Sequence, residues 1–170
     1  MNEKALKTLE YDKVLQLLAQ GTASDMGRDA ALRLKPAQNL PAAIALMERT
    51  DEAYSYYRRN GKTPIMAFPD IRETLKKSKA AYALSPGDLL RIALCLKASR
   101  TAREEIEGEE NAPQLTLLAN RLSAHRSIEE EINRCILSEE EINDNASPEL
   151  ARIRRQMRIT NERVRENSTA

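Results

Sequence analysis

Apolar residues recur along this chain at steps of three and four, punctuated by prolines, glycines and short polar stretches, so helices are the elements the pattern predicts. Leu6, Leu9, Val14, Leu17 and Leu18 predict a first helix from about Lys4 to Gln20, stopped by Gly21. Ser24 can cap a second, which carries Ala30, Ala31, Leu32 and Leu34 and ends before Pro36. Asn39 reads as a third cap, with Pro41 tolerated in the first turn. That helix runs to about Asn60, with Ile44, Met47, Tyr54 and Tyr57 on its apolar side and Gly61 as its C′ residue. Lys62 to Pro69 holds two prolines and reads as a loop. Asp70 can cap a short helix to about Ala80.

Ser85-Pro86-Gly87-Asp88 is a stronger start signal: a cap, a proline at the first helical position and an acid in the first turn. The segment that follows, Leu89 to Ala98, is apolar almost all round through Leu89, Leu90, Ile92, Leu94 and Leu96, and belongs in the centre of a domain. Glutamates at 104, 105, 107, 109 and 110, broken by Gly108 and followed by Pro113, mark a solvated end and loop. Helices from about Pro113 to Ala124 and Ser127 to Cys135 come next. Ile136 to Ala146, rich in acids with two asparagines, reads as a turn or short hairpin.

The last segment differs. Ser147-Pro148-Glu149 opens a helix in which Leu150, Ile153, Met157, Thr160 and Val164 follow 3–4–3–4 spacing, a heptad seam. No stop signal appears before Ala170, and at 1.5 Å per residue the helix would reach roughly 30 Å. It reads as one arm of a coiled coil, cut in the middle of an element, so the chain is expected to be a fragment of something larger.

Composition agrees with the periodicity. Ala, Leu, Glu, Arg and Lys dominate, aromatics make up 4%, and the fold class expected is all-α, a helical bundle with a long C-terminal helix. At 170 residues the chain is one domain or one domain with an appendage. With 41% hydrophobic and 31% charged residues it is too apolar for general disorder. No run approaches the 18 consecutive apolar residues of a membrane span. Met1 to Glu10 has no apolar core of a secretory signal, and Cys95 and Cys135 imply no disulfide framework, so the cytoplasm is the expected compartment. The net charge of +1 excludes a histone-like protein but not a local basic stripe.

Catalytic and metal-binding groups are not expected in this chain. His125 has no partner for a metal site or a nucleophile pair and reads as a surface histidine. Cys95 reads as a small core residue; Cys135, beside Arg134, is the one candidate reactive thiol. Phosphate-cradling glycine motifs are absent. Glu129-Glu130-Glu131 and Glu139-Glu140-Glu141 read as solvated acidic faces. The positive feature is on the last helix. Arg152, Arg155, Arg158 and Arg165 fall opposite the seam residues Leu150, Ile153, Met157 and Val164, within an arc of about 140° at helical periodicity. Such a stripe is either a candidate phosphate contact or the solvated outer face of a coiled coil.

The order of segments carries a family resemblance. Thr8-Leu9-Glu10-Tyr11-Asp12-Lys13-Val14-Leu15, then Ser24-Asp25-Met26-Gly27-Arg28 and Leu34-Lys35-Pro36, resembles the opening of bacterial MutS paralogues of the second type. Phe68-Pro69-Asp70-Ile71-Arg72 through Leu84 and Asp88-Leu89-Leu90 is similar to the family's second section. The most specific block is Ala146-Ser147-Pro148-Glu149-Leu150-Ala151-Arg152-Ile153-Arg154-Arg155. Two departures stand out: Ala81-Tyr82-Ala83 where the family often has a glycine, and a closing Asn167-Ser168-Thr169-Ala170 that does not extend the heptad well.

The resemblance implies a homodimeric parent, in which a helical core leads through lever helices to a clamp and then to an ABC-type ATPase domain and a small Smr nuclease domain. On that basis residues 1–146 are the core and residues 147–170 the start of the lever. No cofactor is expected in this chain; ATP and Mg belong to the parent. The implied partners are branched DNA, with suppression of recombination, or collided ribosomes and their rRNA, and no membrane. Mismatch reading is not implied, since Phe68 is followed by Pro69-Asp70 rather than by a Phe-x-Glu wedge. The competing reading is a stand-alone helical adaptor that binds a partner helix through the Leu150 to Val164 seam.

Overall fold

A computed structural model describes residues 3–168, with side chains from Lys4 to Arg165. Among them are nine helices and no strand: α1 (Glu3–Thr8), α2 (Tyr11–Gln20), α3 (Asp25–Leu32), α4 (Leu40–Asn60), α5 (Arg72–Lys79), α6 (Pro86–Ile106), α7 (Pro113–Ala119), α8 (Arg126–Cys135) and α9 (Pro148–Ser168). The all-α expectation holds. Thr169 and Ala170, at the end of the weak heptad extension, lie outside the described residues.

The expected caps at Ser24, Asn39, Ser85 and Ser147 form. The Ser24 hydroxyl accepts from the Gly27 N–H at 3.1 Å, and the Asn39 side chain from Ala42 at 2.9 Å. Ser85 and Asp88 bond reciprocally, each accepting from the other's backbone N–H, a capping box that starts α6. Gly61 ends α4 in the left-handed region at φ 67°. The N-cap position of α5 falls one residue after the expected Asp70. Ile71 holds the N-cap position, without a side-chain cap.

Two further differences have local causes. The expected first helix is broken into α1 and α2 at Glu10, which adopts φ 51° and pairs with Lys13 at 2.6 Å. The apolar step from Leu9 to Val14 is five residues, which a continuous helix cannot keep on one face. After α5 the chain turns through a Schellman motif: Tyr82 N–H donates to the Lys77 carbonyl and Ala81 N–H to that of Ser78, both at 3.0 Å. Ala81 stands at φ 59°, a conformation that glycine adopts at no steric cost. This is the connection at which the resemblance noted above implies a glycine.

The chain divides into two units. One is Met1–Asp70 with Leu94–Arg126; the other is Ile71–Ala93 with Ser127–Ala170. In the first, α4 is tied down along one side. Tyr56, 2% exposed, places its hydroxyl against the carbonyl and carboxylate of Glu105 on α6. Lys62 and Arg59 pair with Glu105 and Glu109 at 2.5 and 3.3 Å. Glu52 accepts the Leu115 N–H at 2.8 Å, serving as the cap that Ala112 cannot provide for α7. Ile44, Met47, Tyr54 and Tyr57 do lie on the apolar side of α4, but that side is exposed, at 45 to 70%.

Helix α6 contributes its start to the second unit and its remainder to the first. Its buried residues are small, Ala93, Ala98 and Ala102, with Ile106 at its end. In the second unit Thr74 and Lys77 of α5 reach Asp88 of α6. Glu129, read from sequence as part of a solvated acidic face, is buried instead. It shares a face of α8 with Ile132, in line with buried Ile136. The segment after α8 forms a tight turn closed by one antiparallel bridge, Ile136 to Ile142. The turn-or-hairpin expectation is thus met by a single bridge pair.

Candidate functional site

The C-terminal helix carries the sequence's candidate residues, and the segment before it fixes its base. Within the second unit, the connection 136–146 folds back on the end of α8. The Asn143 N–H donates to the Cys135 carbonyl at 2.8 Å, and its side-chain amide to the Arg134 carbonyl at 3.0 Å. Arg134 grips from the other side. Its guanidinium donates to both oxygens of Glu131 at 2.8 and 2.6 Å and to the carbonyls of Asn145 and Ala146 at 3.1 Å each. A cation at a helix C-terminus is also favoured by the helix dipole. The next residue, Ser147, caps α9 through a 3.1 Å bond from the Leu150 N–H.

Asp144 is the second fastening. Its carboxylate accepts from Arg154 and, through its other oxygen, from Arg158 at 2.8 Å; Arg154 donates also to the Ile142 carbonyl at 2.8 Å. These hydrogen bonds, first from Arg154 and then from Arg158, hold the Asp144 carboxyl below the ordinary carboxylate range. Arg134 draws Glu131 down to about 2 by the same physics, with the Cys135 thiol as a further donor.

Of the predicted stripe, Arg152 and Arg155 are exposed and form no ion pair among the described residues. Arg158 is exposed but engaged by Asp144, and Arg165 is exposed. Of the predicted seam, Leu150 is half-buried at the base, whereas Ile153, Met157 and Val164 are exposed by 41, 58 and 58%. The apolar line therefore faces solvent, with the arginine stripe on the opposite side of the helix.

Arg154, Asp144 and Arg134 were not among the predicted site residues. The four-residue spacing of Arg154 and Arg158 signals a shared face. Their common partner depends on how the 136–146 turn folds, which has no sequence signature. The surroundings of Cys135 do not activate its thiol. Burial and its hydrogen bond to Glu131 raise its pKa, with Arg134 opposing, so the protonated form is favoured. Cys95 lines an apolar cavity of ≈ 320 Å³ in the first unit with Met26, Ile65, Phe68, Ala98 and Leu122; burial, then Asp70, raises its thiol. His125 is exposed. Among the described residues no cluster of three or more His, Cys, Asp or Glu could hold a metal ion, and no helix is long and apolar enough to cross a membrane.

An all-α chain with an alanine-floored core, whose α9 leaves apolar side chains facing solvent, is in its class an all-helical protein. The relatives make the class particular. The chain is 39% identical over 161 residues to endonuclease MutS2 of Ruminiclostridium cellulolyticum, a match that covers 93% of this chain and 20% of that protein. It is 35% identical over 168 residues to endonuclease MutS2 of Alkaliphilus oremlandii, covering 97% of this chain and 21% of that protein. It is 36% identical over 170 residues to the protein of the same name from a Geobacillus species, covering 98% and 22%. No family model matches the chain. The chain belongs to the MutS2 family, and it spans about a fifth of the length of the curated relatives it matches.

Proposed function

We propose that this chain is a non-catalytic part of a MutS2 protein that passes motion of the parent's ATPase to its clamp. Residues 1–146 serve as the helical core and residues 147–170 as the start of the lever. The parent binds ATP and Mg outside this chain, works as a homodimer, and acts on branched DNA, suppressing recombination, or on collided ribosomes through their rRNA. The observation that carries the reading is similarity to MutS2 proteins over nearly the whole chain, joined to a 21-residue α9 whose base is bonded on two sides. A lever needs a stiff element rooted in a poorly deformable base, and packed cores supply that. The test is a glycine-rich linker inserted after Ala146 in the full-length protein. ATP-dependent activity should collapse while nucleotide binding persists; unchanged activity rejects the lever role.

Arg152, Arg155, Arg158 and Arg165 are the proposed phosphate contacts of this segment. Reversing the charge of Arg152 and Arg155 should weaken nucleic-acid binding mainly at low salt, because such contacts act by counterion release. The exposure of Ile153, Met157 and Val164 favours a second reading, an adaptor that seats a partner helix on this seam. A purified full-length protein without nucleotide-dependent activity, but with a helix-bearing partner bound at the seam, would favour it.

A further inference from the structure

Two guanidiniums one helical turn apart converge on a single carboxylate at the base of α9. Arg154 and Arg158 each engage a different oxygen of Asp144. A phosphodiester presents two charged oxygens in much the same way, and paired guanidiniums recognise both groups by charge-assisted hydrogen bonds. We propose that Arg154 and Arg158 form a phosphodiester site that Asp144 occupies in the unliganded chain, so that a nucleic-acid backbone binds there by displacing an internal carboxylate. The inference rests on the nucleic-acid reading above and adds to it both a site and its regulation.

Two observations support displacement. The groups are open to solvent: side-chain exposures are 34% for Arg154, 60% for Arg158 and 44% for Asp144. Ion pairs that exposed contribute little to stability, so a polyanion carrying many charges can replace one carboxylate. At 100° per residue, Arg154 also lies beside Arg158 at the edge of the arc holding Arg152 and Arg155, so one strand of phosphates can run from the open arginines to the occupied pair. Asp144 is not a free competitor. Arg134 holds the carbonyls of the two residues after it, which keeps the carboxylate near its guanidiniums. Binding is thereby linked to release of the 136–146 connection from α9.

The test measures affinity of the chain for a labelled DNA duplex and for an RNA hairpin of the same length, at low and high salt. Asp144→Asn should bind about three- to tenfold more tightly than the unmodified chain at low salt. Glu48→Gln, which makes the same change in net charge at an exposed residue of α4, should gain less. In an Arg154→Gln/Arg158→Gln background the Asp144→Asn gain should vanish. No gain from Asp144→Asn, or a gain undiminished without the two arginines, overturns the proposal. If Asp144→Asn loses helicity, hydrogen exchange on the unmodified chain decides: added duplex should speed exchange across 142–146, and slowed or unchanged exchange there counts against displacement. If neither protein binds either probe, the nucleic-acid reading itself fails. If the unmodified chain binds and Asp144→Asn does not tighten binding, only the displacement fails.

Discussion

Ala81 pays for its turn with a left-handed backbone at φ 59°, which an L side chain tolerates poorly. Ala81→Gly removes that strain and should raise stability by about 1 kcal/mol, read as a shift of the urea midpoint at unchanged slope. Glu131 gives a pH prediction. Its folded pKa, about 2, lies below the ordinary 4.5, so its contribution is complete above that value and lost as pH falls towards 2. Asp144, also lowered, acts with the same sign. Thermal scans across the acid range should therefore show the 136–146 connection and α9 loosening on acidification, and Glu131→Gln should flatten that dependence. Cys135 should alkylate slowly at neutral pH, with a pH–rate midpoint above that of an ordinary thiol, since only the thiolate reacts.

At the scale of elements, caps decide where helices begin, and one comes from a distance. Glu52 of α4 caps α7, a service that no residue near Ala112 performs. Glu52→Ala should cost about 1 kcal/mol, as the loss of a cap does, while Glu52→Gln, which keeps an acceptor, should cost less. Chemical denaturation of the two variants checks this. Helices α4 and α9 share a further property: each is fastened along one side and exposes apolar residues on another, Met47 and Tyr54 on α4 and Met157 and Val164 on α9. Helical periodicity identifies such faces but does not say which of them the fold covers.

At the scale of the molecule, exposed large apolar side chains outnumber buried ones among the described residues. Most buried apolar residues are alanines, and no large side chain is fully buried among the described residues. Surface this apolar usually marks an interaction site. Met157→Asp should leave stability within about 0.5 kcal/mol, because Met157 is 58% exposed, yet should impair the full-length protein if the seam meets a lever partner. Equal stability with equal activity of the full-length protein would remove the seam from the mechanism.

Local chemistry determined the helical class, most element boundaries and the caps at Ser24, Asn39, Ser85 and Ser147, because propensity and capping act over a few residues. The ordered motifs of the opening and of the Ala146 to Arg155 block were enough for the family. Asp144 between Arg154 and Arg158, Arg134 on the carbonyls before α9, burial of Glu129 and the solvent-facing side of α4 were decided by tertiary structure alone. Each depends on which segments meet across turns, and turn geometry places polar partners without leaving a periodic trace in the sequence. Even the strained Ala81 shows this division: the expectation of a glycine nearby came from the family resemblance, and only the backbone shows what an alanine endures there.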